Sequence, residues 1–317
     1  IHLLGCGTSW HAAQISRFFF EKIAALPIRV HLASEVRHCP FFSEKNSFIL
    51  AISQSGETAD TLEAVRFLNA HNMHTIALTN VVSSTLVRET KGCLQTYAGP
   101  EIAVASTKAF TAQLAALYLL AHKIAVQKGI IDKCKLELAY EQLLMVAEIL
   151  ESAIENYKQD IIERWAPFYS RFEKIFFIGR YISYPFSLEA ALKLKEIAYI
   201  FTASCPAGEL KHGSLALVDS NIPVFLFSAM DPIVYKKLVS NAQEIKARSG
   251  HLVVFDFENQ QELINLADLS FVLPQVKPLL DPLAMTGLMQ FFVYQIAKVL
   301  VRPIDKPRNL AKSVTVE

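Results

Sequence analysis

Phe48-Ile49-Leu50-Ala51-Ile52 runs straight into Ser53-Gln54-Ser55-Gly56-Glu57-Thr58. A short, uninterrupted apolar run is the mark of a strand covered on both faces. Gly56 permits a tight turn, and Thr58–Ala70 then places Leu62, Val65 and Leu68 on one helical stripe. A buried strand, a polar turn and a returning helix make one step of a parallel α/β sheet, whose ligands collect at the carboxyl ends of the strands. Three hydroxyls and one amide at a helix N-terminus suit a phosphate, because open backbone N–H groups and the positive dipole end face it. Ordinary N-capping by Ser or Thr is the alternative, although one cap needs one hydroxyl. The loop carries no Lys, so a phosphomonoester fits it better than a nucleotide triphosphate.

The same alternation extends outward. Strands are predicted at Ile1–Leu4, Ile28–Ala33, Ser47–Ile52, Thr75–Leu78 and Cys93–Tyr97, with helices at Ser9–Ala25, Thr58–Ala70 and Ser83–Glu89. The second half repeats the plan at an offset of about 175 residues: Phe176–Gly179, Val224–Ser228, Leu252–Phe255 and Phe271–Leu273 match strands of the first half. A long apolar helix closes each half, Ser106–Val126 and Ala284–Val301. The expectation is an α/β protein of two related domains, residues 1–150 and 151–302, followed by a tail, 303–317. The connection Lys128–Trp165, rich in Glu, Leu and Ile, is predicted to be a helical pair.

Composition agrees. At about 150 residues per domain, 317 residues predict two domains. With 52% hydrophobic and 19% charged residues there is material for a sizeable core. The net charge of +1 argues against a nucleic-acid binder working by bulk charge and against an acidic disordered chain. Cys6, Cys39, Cys93, Cys134 and Cys205 form neither a CxxC pair nor a zinc spacing, so the reading is a reduced, cytoplasmic protein without a metal site. No signal peptide is visible, and the apolar stretches are interrupted before the roughly 18 residues of a membrane span. The nearest, Ala284–Val301, carries Gln290, Gln295 and Lys298 and is expected as a buried or interface helix. The chain opens on Ile1 rather than Met, already in apolar rhythm, so an N-terminal part is expected to be missing.

Further candidates lie along the strand edges. Gly5-Cys6-Gly7-Thr8-Ser9 has Trp10 where a dinucleotide fingerprint has its third glycine, and Glu35 lies 28 residues past Gly7 instead of about 20. A glycine turn bringing Thr8 and Ser9 beside the Ser53 loop is expected instead. Ala103-Val104-Ala105-Ser106-Thr107-Lys108 supplies another helix start on that edge. In the second half, Ser187–Ile200 reads as a helix with Glu189, Lys193 and Glu196 on one face. This is either a solvated salt-bridge face or an acid–base pair, a carboxylate moving a carbon-bound proton beside an ammonium that handles oxygen protons. Ala207-Gly208-Glu209-Leu210-Lys211-His212-Gly213-Ser214 is a glycine-flanked loop whose His212 can shuttle protons near neutral pH. Lys312, in the tail Arg308–Glu317, is either solvated or a Schiff-base amine.

Taken together, GTSWHAA (Gly7–Ala13), SQSGETADT (Ser53–Thr61), VASTKAFT (Val104–Thr111), LEAALKLKEIAYI (Leu188–Ile200), AGELKHG (Ala207–Gly213) and RNLAKSVTVE (Arg308–Glu317) resemble the isomerase half of the glucosamine-6-phosphate synthase family, the glutamine–fructose-6-phosphate transaminases (isomerizing). The resemblance covers essentially the whole chain. SQSGET alone would indicate only a sugar-isomerase (SIS) domain.

The resemblance implies two SIS domains, each a five-stranded parallel sheet flanked by helices, and a homodimer. It implies that Ser53, Gln54, Ser55 and Thr58, helped by Thr8, hold the phosphate of fructose 6-phosphate, with Ser9 in the same pocket, and that Val104 and Ser106 line the sugar. It implies Glu196 as the base that moves a proton between C1 and C2, Lys193 as its assistant at the oxygens, and Glu189 as the support of Lys193. His212 would open the ring from the neighbouring subunit, and Lys312 would form a Schiff base. The product would be glucosamine 6-phosphate, the ammonia would come from an N-terminal glutaminase domain, and no cofactor would be needed. Ser214 departs from the family, which commonly has Pro there, but removes no catalytic group. Two rivals stand beside this reading: a sugar-phosphate sensor, which needs the Ser53 loop but not Glu196, His212 and Lys312, and a deglycase or isomerase of another amino-sugar phosphate.

Overall fold

A computed structural model of the chain describes residues 1–39 and 47–315. It divides into two compact units, Ile1–Ala139 with the C-terminal segment from Asn309, and Tyr140–Arg308.

The first unit contains β1 (His2–Gly5), α1 (Gly7–Ile23), β2 (Arg29–Leu32), β3 (Phe48–Ser53), α2 (Ala59–Ala70), β4 (His74–Thr79), α3 (Thr85–Glu89), β5 (Cys93–Gln95), α4 (Lys108–Gln127) and the start of α5 (Lys133–Asp160). All five strands are parallel, in the order β2-β1-β3-β4-β5. Leu50, Ala51 and Ile52 of β3 are buried beside Leu3 and Leu4 of β1, as two-sided coverage demands. Helices α1 and α4 pack together, and Gln113 Nε2 donates to Ser9 Oγ at 3.0 Å between them. Among the described residues, α4 is the helix long and apolar enough to cross a membrane, rather than Ala284–Val301; half of its apolar window is buried inside the fold.

The second unit continues with α6 (Ala166–Tyr169), β6 (Lys174–Gly179), α7 (Ser183–Ala198), β7 (Phe201–Pro206), β8 (Val224–Phe227), α8 (Pro232–Lys246), β9 (Leu252–Phe257), α9 (Gln261–Leu266), β10 (Leu269–Leu273) and α10 (Asp281–Val299). Its parallel order, β7-β6-β8-β9-β10, reproduces the first sheet strand for strand. The register repeats too. Leu3 pairs with Leu50 and Leu50 with Ile76; Phe176 pairs with Val224 and Val224 with Leu252. The duplication predicted from the apolar runs is therefore one of strand order and register.

The connection differs from its prediction. Lys133–Asp160 is one continuous helix, not a pair, and it ends in a π turn at Ile161–Trp165. No Gly or Pro interrupts it. Val146, Ile149, Ala153 and Tyr157 recur on one stripe, and Tyr157 Oη accepts the N–H of Val272 at 2.7 Å. All five cysteines are free.

Candidate active site

In the first unit the site grows from the end of β3. Ser53 Oγ accepts the N–H of Gly56 at 3.0 Å and shares a hydrogen bond with Thr58 Oγ1 at 3.2 Å. Ser55 Oγ accepts the N–H of Glu57 at 3.1 Å. Thr58 is the N-cap residue of α2, yet its side chain makes no capping bond. Plain N-capping thus does not account for this hydroxyl. Gly56 has φ +68°, and a Cβ there would lie 2.1 Å from Ser84 Oγ. Only glycine fits this turn.

Gly5 lets β1 close against β3: a Cβ on it would lie 3.0 Å from the carbonyl oxygen of Ile52. The helix α1 that follows brings Thr8 and Ser9 to the Ser53 loop. One pocket is lined by Thr8, Ser9, Ser53, Gln54, Ser55, Thr58, Val104, Ser106 and Lys312. Every first-unit residue singled out from the sequence is therefore at one place. Cys6, Ile52 and Thr61 complete the lining, and burial pushes the Cys6 thiol up from its ordinary value. Thr8, Ser9, Ser53, Ser55, Thr58, Thr61 and Ser106 bring hydroxyls to the lining, which suits an anion.

Lys312 enters this pocket from the tail. Its Nζ donates to the carbonyl of Ala103 at 2.6 Å and lies 3.6 Å from Glu101 Oε2. Sequence reading missed Glu101. Its side chain is only 2% exposed, and its signal was an acid shortly before a helix start. Val316 and Glu317, the last residues of the tail, lie outside the described residues.

In the second unit α7 carries the charged group. The side chains of Glu189 and Lys193 are 0% and 3% exposed, and Glu196 is 20% exposed. Lys193 Nζ lies 3.4 Å from Glu189 Oε1 and 2.7 Å from Glu196 Oε2. The solvated-face alternative is thereby excluded. Burial alone would lower the Lys193 ammonium, but Glu189 and Glu196 outweigh it and hold it above its ordinary value. Thr202 Oγ1 donates to the carbonyl of Ala191 at 2.8 Å, and Ser187 bonds Ser204 at 2.7 Å, so β7 fixes the helix. Glu196 is the most open member of the triad, a carboxylate held by an ammonium yet reachable by solvent.

His212 ends a 3-10 turn, Ala207–His212, whose Ala207 and Leu210 are buried while His212 itself is exposed. Among the described residues, the turn after β8, Ser228-Ala229-Met230-Asp231, carries no hydroxyl cluster like that of Ser53–Thr58. After β8 comes Asp231, whose Oδ1 accepts the N–H groups of Ile233 and Val234 at 2.9 and 3.1 Å and so caps α8 itself.

The SIS domain model matches residues 1–123 and 168–300. The chain is 40% identical over its full length to the glutamine–fructose-6-phosphate aminotransferase (isomerizing) of Methanosarcina mazei, and 39% identical to that of Thermus thermophilus. It spans about half the length of these curated relatives, 51% and 52%. Among solved structures, the C-terminal domain of glucosamine-fructose-6-phosphate aminotransferase from Francisella tularensis is 36% identical with a TM-score of 0.91, covering 96% of this chain and 85% of that one. A glucosamine-6-phosphate deaminase from Thermotoga maritima, 24% identical with a TM-score of 0.78 over 99% of this chain and 89% of that one, shares the fold.

Proposed function

We propose, since the chain belongs to the SIS domain family, that it is the isomerase half of a glucosamine-6-phosphate synthase and turns fructose 6-phosphate and ammonia into glucosamine 6-phosphate. The observation that carries this reading is the pocket of the first unit, where the Ser53–Thr58 loop, Ser106 and Lys312 meet. A phosphate seat alone would serve a sensor. A lysine brought into the same pocket by a separate segment supports covalent chemistry on the sugar.

In this mechanism Ser53, Gln54, Ser55, Thr58 and Thr8 hold the phosphate, while Ser9, Val104 and Ser106 shape the sugar site. His212, from the neighbouring subunit of a homodimer, opens the ring. The Lys312 amine adds to the C2 carbonyl, water leaves, and a ketimine forms; ammonia then displaces the lysine. Glu196 removes a proton from C1 and returns one to C2 through an enamine, which yields the 2-amino aldose. Lys193 handles the oxygen protons, and Glu189 keeps Lys193 charged. No cofactor enters. The ammonia source is a glutaminase domain N-terminal to this chain, and the compartment is the cytoplasm.

Proton NMR of the protein with fructose 6-phosphate in heavy water tests the reading. Glucose 6-phosphate carrying deuterium at C2 is expected without ammonium, and glucosamine 6-phosphate with it. Saturable binding without turnover would replace the enzyme by a sugar-phosphate sensor.

A further inference from the structure

We propose that Glu101 is a positioning residue for this reaction, its carboxylate holding the Nζ of Lys312 and the hydroxyl of Ser106 at the sugar-phosphate pocket. The proposal rests on the isomerase reading above.

Glu101 divides its two oxygens between two tasks. Oε1 accepts the N–H of Thr107 at 2.7 Å, with the Thr107 hydroxyl at 3.3 Å and the N–H of Ala109 at 3.5 Å. Thr107 is the N-cap residue of α4 but makes no capping bond with its own side chain. Glu101, six residues earlier in the chain, is the cap instead. A cap needs one oxygen, and a Ser or Thr at the N-cap position would supply it without burying a charge. The second oxygen has no part in capping. It accepts the Ser106 hydroxyl at 3.3 Å and faces Lys312 Nζ at 3.6 Å. The N-terminus of a 20-residue helix thus fixes a carboxylate whose free side is turned to two pocket residues.

Lys312 needs such a partner. It sits on a segment without regular structure, so no helix or strand of its own directs its side chain. A free lysine stem carries about 2 kcal/mol of rotamer entropy. Both of its anchors, the carbonyl of Ala103 and Glu101 Oε2, come from the loop between β5 and α4, which also carries Val104 and Ser106. One loop therefore sets the sugar contacts and the amine together. An amine displaced by about 1 Å from its attack position can lose roughly a hundredfold in rate.

Glu101→Gln separates the two tasks, because the amide keeps an oxygen for Thr107 and removes the charge facing Lys312. The protein and its variants are incubated with fructose 6-phosphate and sodium cyanoborohydride, and hexose phosphate fixed on Lys312 is read by intact mass and peptide mapping. Glu101→Gln is expected to keep the melting temperature, while trapping and kcat fall about tenfold to a hundredfold. Glu101→Ala, which loses the cap as well, is expected to melt lower. Trapping by Glu101→Gln at the unmodified rate would reduce Glu101 to a helix cap and overturn the proposal. If Glu101→Gln melts early, Glu101→Asp carries the test, since it keeps the charge but draws it back by one methylene; undiminished trapping there overturns the proposal equally. Absence of the Lys312 adduct in the unmodified protein overturns the isomerase reading and this proposal with it.

Discussion

The carbonyl oxygen of Val314 accepts the backbone N–H of Ala59, the first residue of α2, at 2.9 Å. The tail thus closes one of the open donors of the helix that follows the Ser53–Thr58 loop, and Lys312 enters the pocket two residues before that contact. Ending the chain at Arg308 removes both. Sugar turnover should fall below detection while the melting temperature shifts by only a few degrees, since Leu310 and Val314, the large apolar side chains among the described residues removed, are exposed. Calorimetry and the heavy-water assay check this; unchanged turnover would detach the tail from the chemistry.

Gly56→Ala should damage the proposed phosphate seat specifically. The φ of +68° and the 2.1 Å approach to Ser84 Oγ leave no place for a methyl group. A loss of about 1–3 kcal/mol is expected from the turn, together with a raised KM for fructose 6-phosphate. Equal KM values for the two proteins would mean that the loop does not hold the phosphate.

The α7 triad should separate stability from catalysis. Lys193→Met leaves Glu189 buried beside Glu196 with no cation between them, and breaking a buried pair in this way costs about 3–5 kcal/mol. Glu196→Gln keeps a hydrogen-bonding oxygen at a more open position. It should lose deuterium incorporation at C2 with a far smaller change in urea midpoint. Retained exchange in Glu196→Gln would remove Glu196 as the base.

Two carboxyls of the second unit make stability depend on pH. Burial pushes both Asp256 and Asp281 up to about 7. A carboxyl whose folded value lies above its unfolded one contributes stability at low pH, and that contribution is lost as pH rises from about 4 through 7. Each accounts for at most about 4 kcal/mol. Asp256→Asn should therefore flatten the fall in melting temperature between pH 5 and pH 8; a slope unaltered by the substitution counts against the shift.

The sheets were legible where burial is two-sided. The strands β3, β4, β8 and β9 lie inside their sheets and read as apolar runs. The edge strand β7 escaped because it is half covered and carries Thr202 and Ser204. The first-unit site was legible because its hydroxyls cluster in sequence at helix starts. The burial of Glu189 and Lys193 was not, since the same spacing occurs on solvated helices, and only the packing of β6, β7 and α10 around α7 decides between them. Glu101 left only a weak trace, an acid shortly before a helix start, because an acid in a loop ordinarily faces water.

The carboxylate of Asp231 on the first turn of α8 has a consequence for the duplicated design. It is a tethered anion, present beside its helix at an effective concentration that free phosphate does not match. The two repeats share a scaffold, yet α8 is capped by the residue just before it, whereas α2 receives its contact from the distant tail at Val314. On the proposed function, the second copy is thereby relieved of substrate recognition, and its neighbouring helix α7 is at liberty to specialise in moving protons.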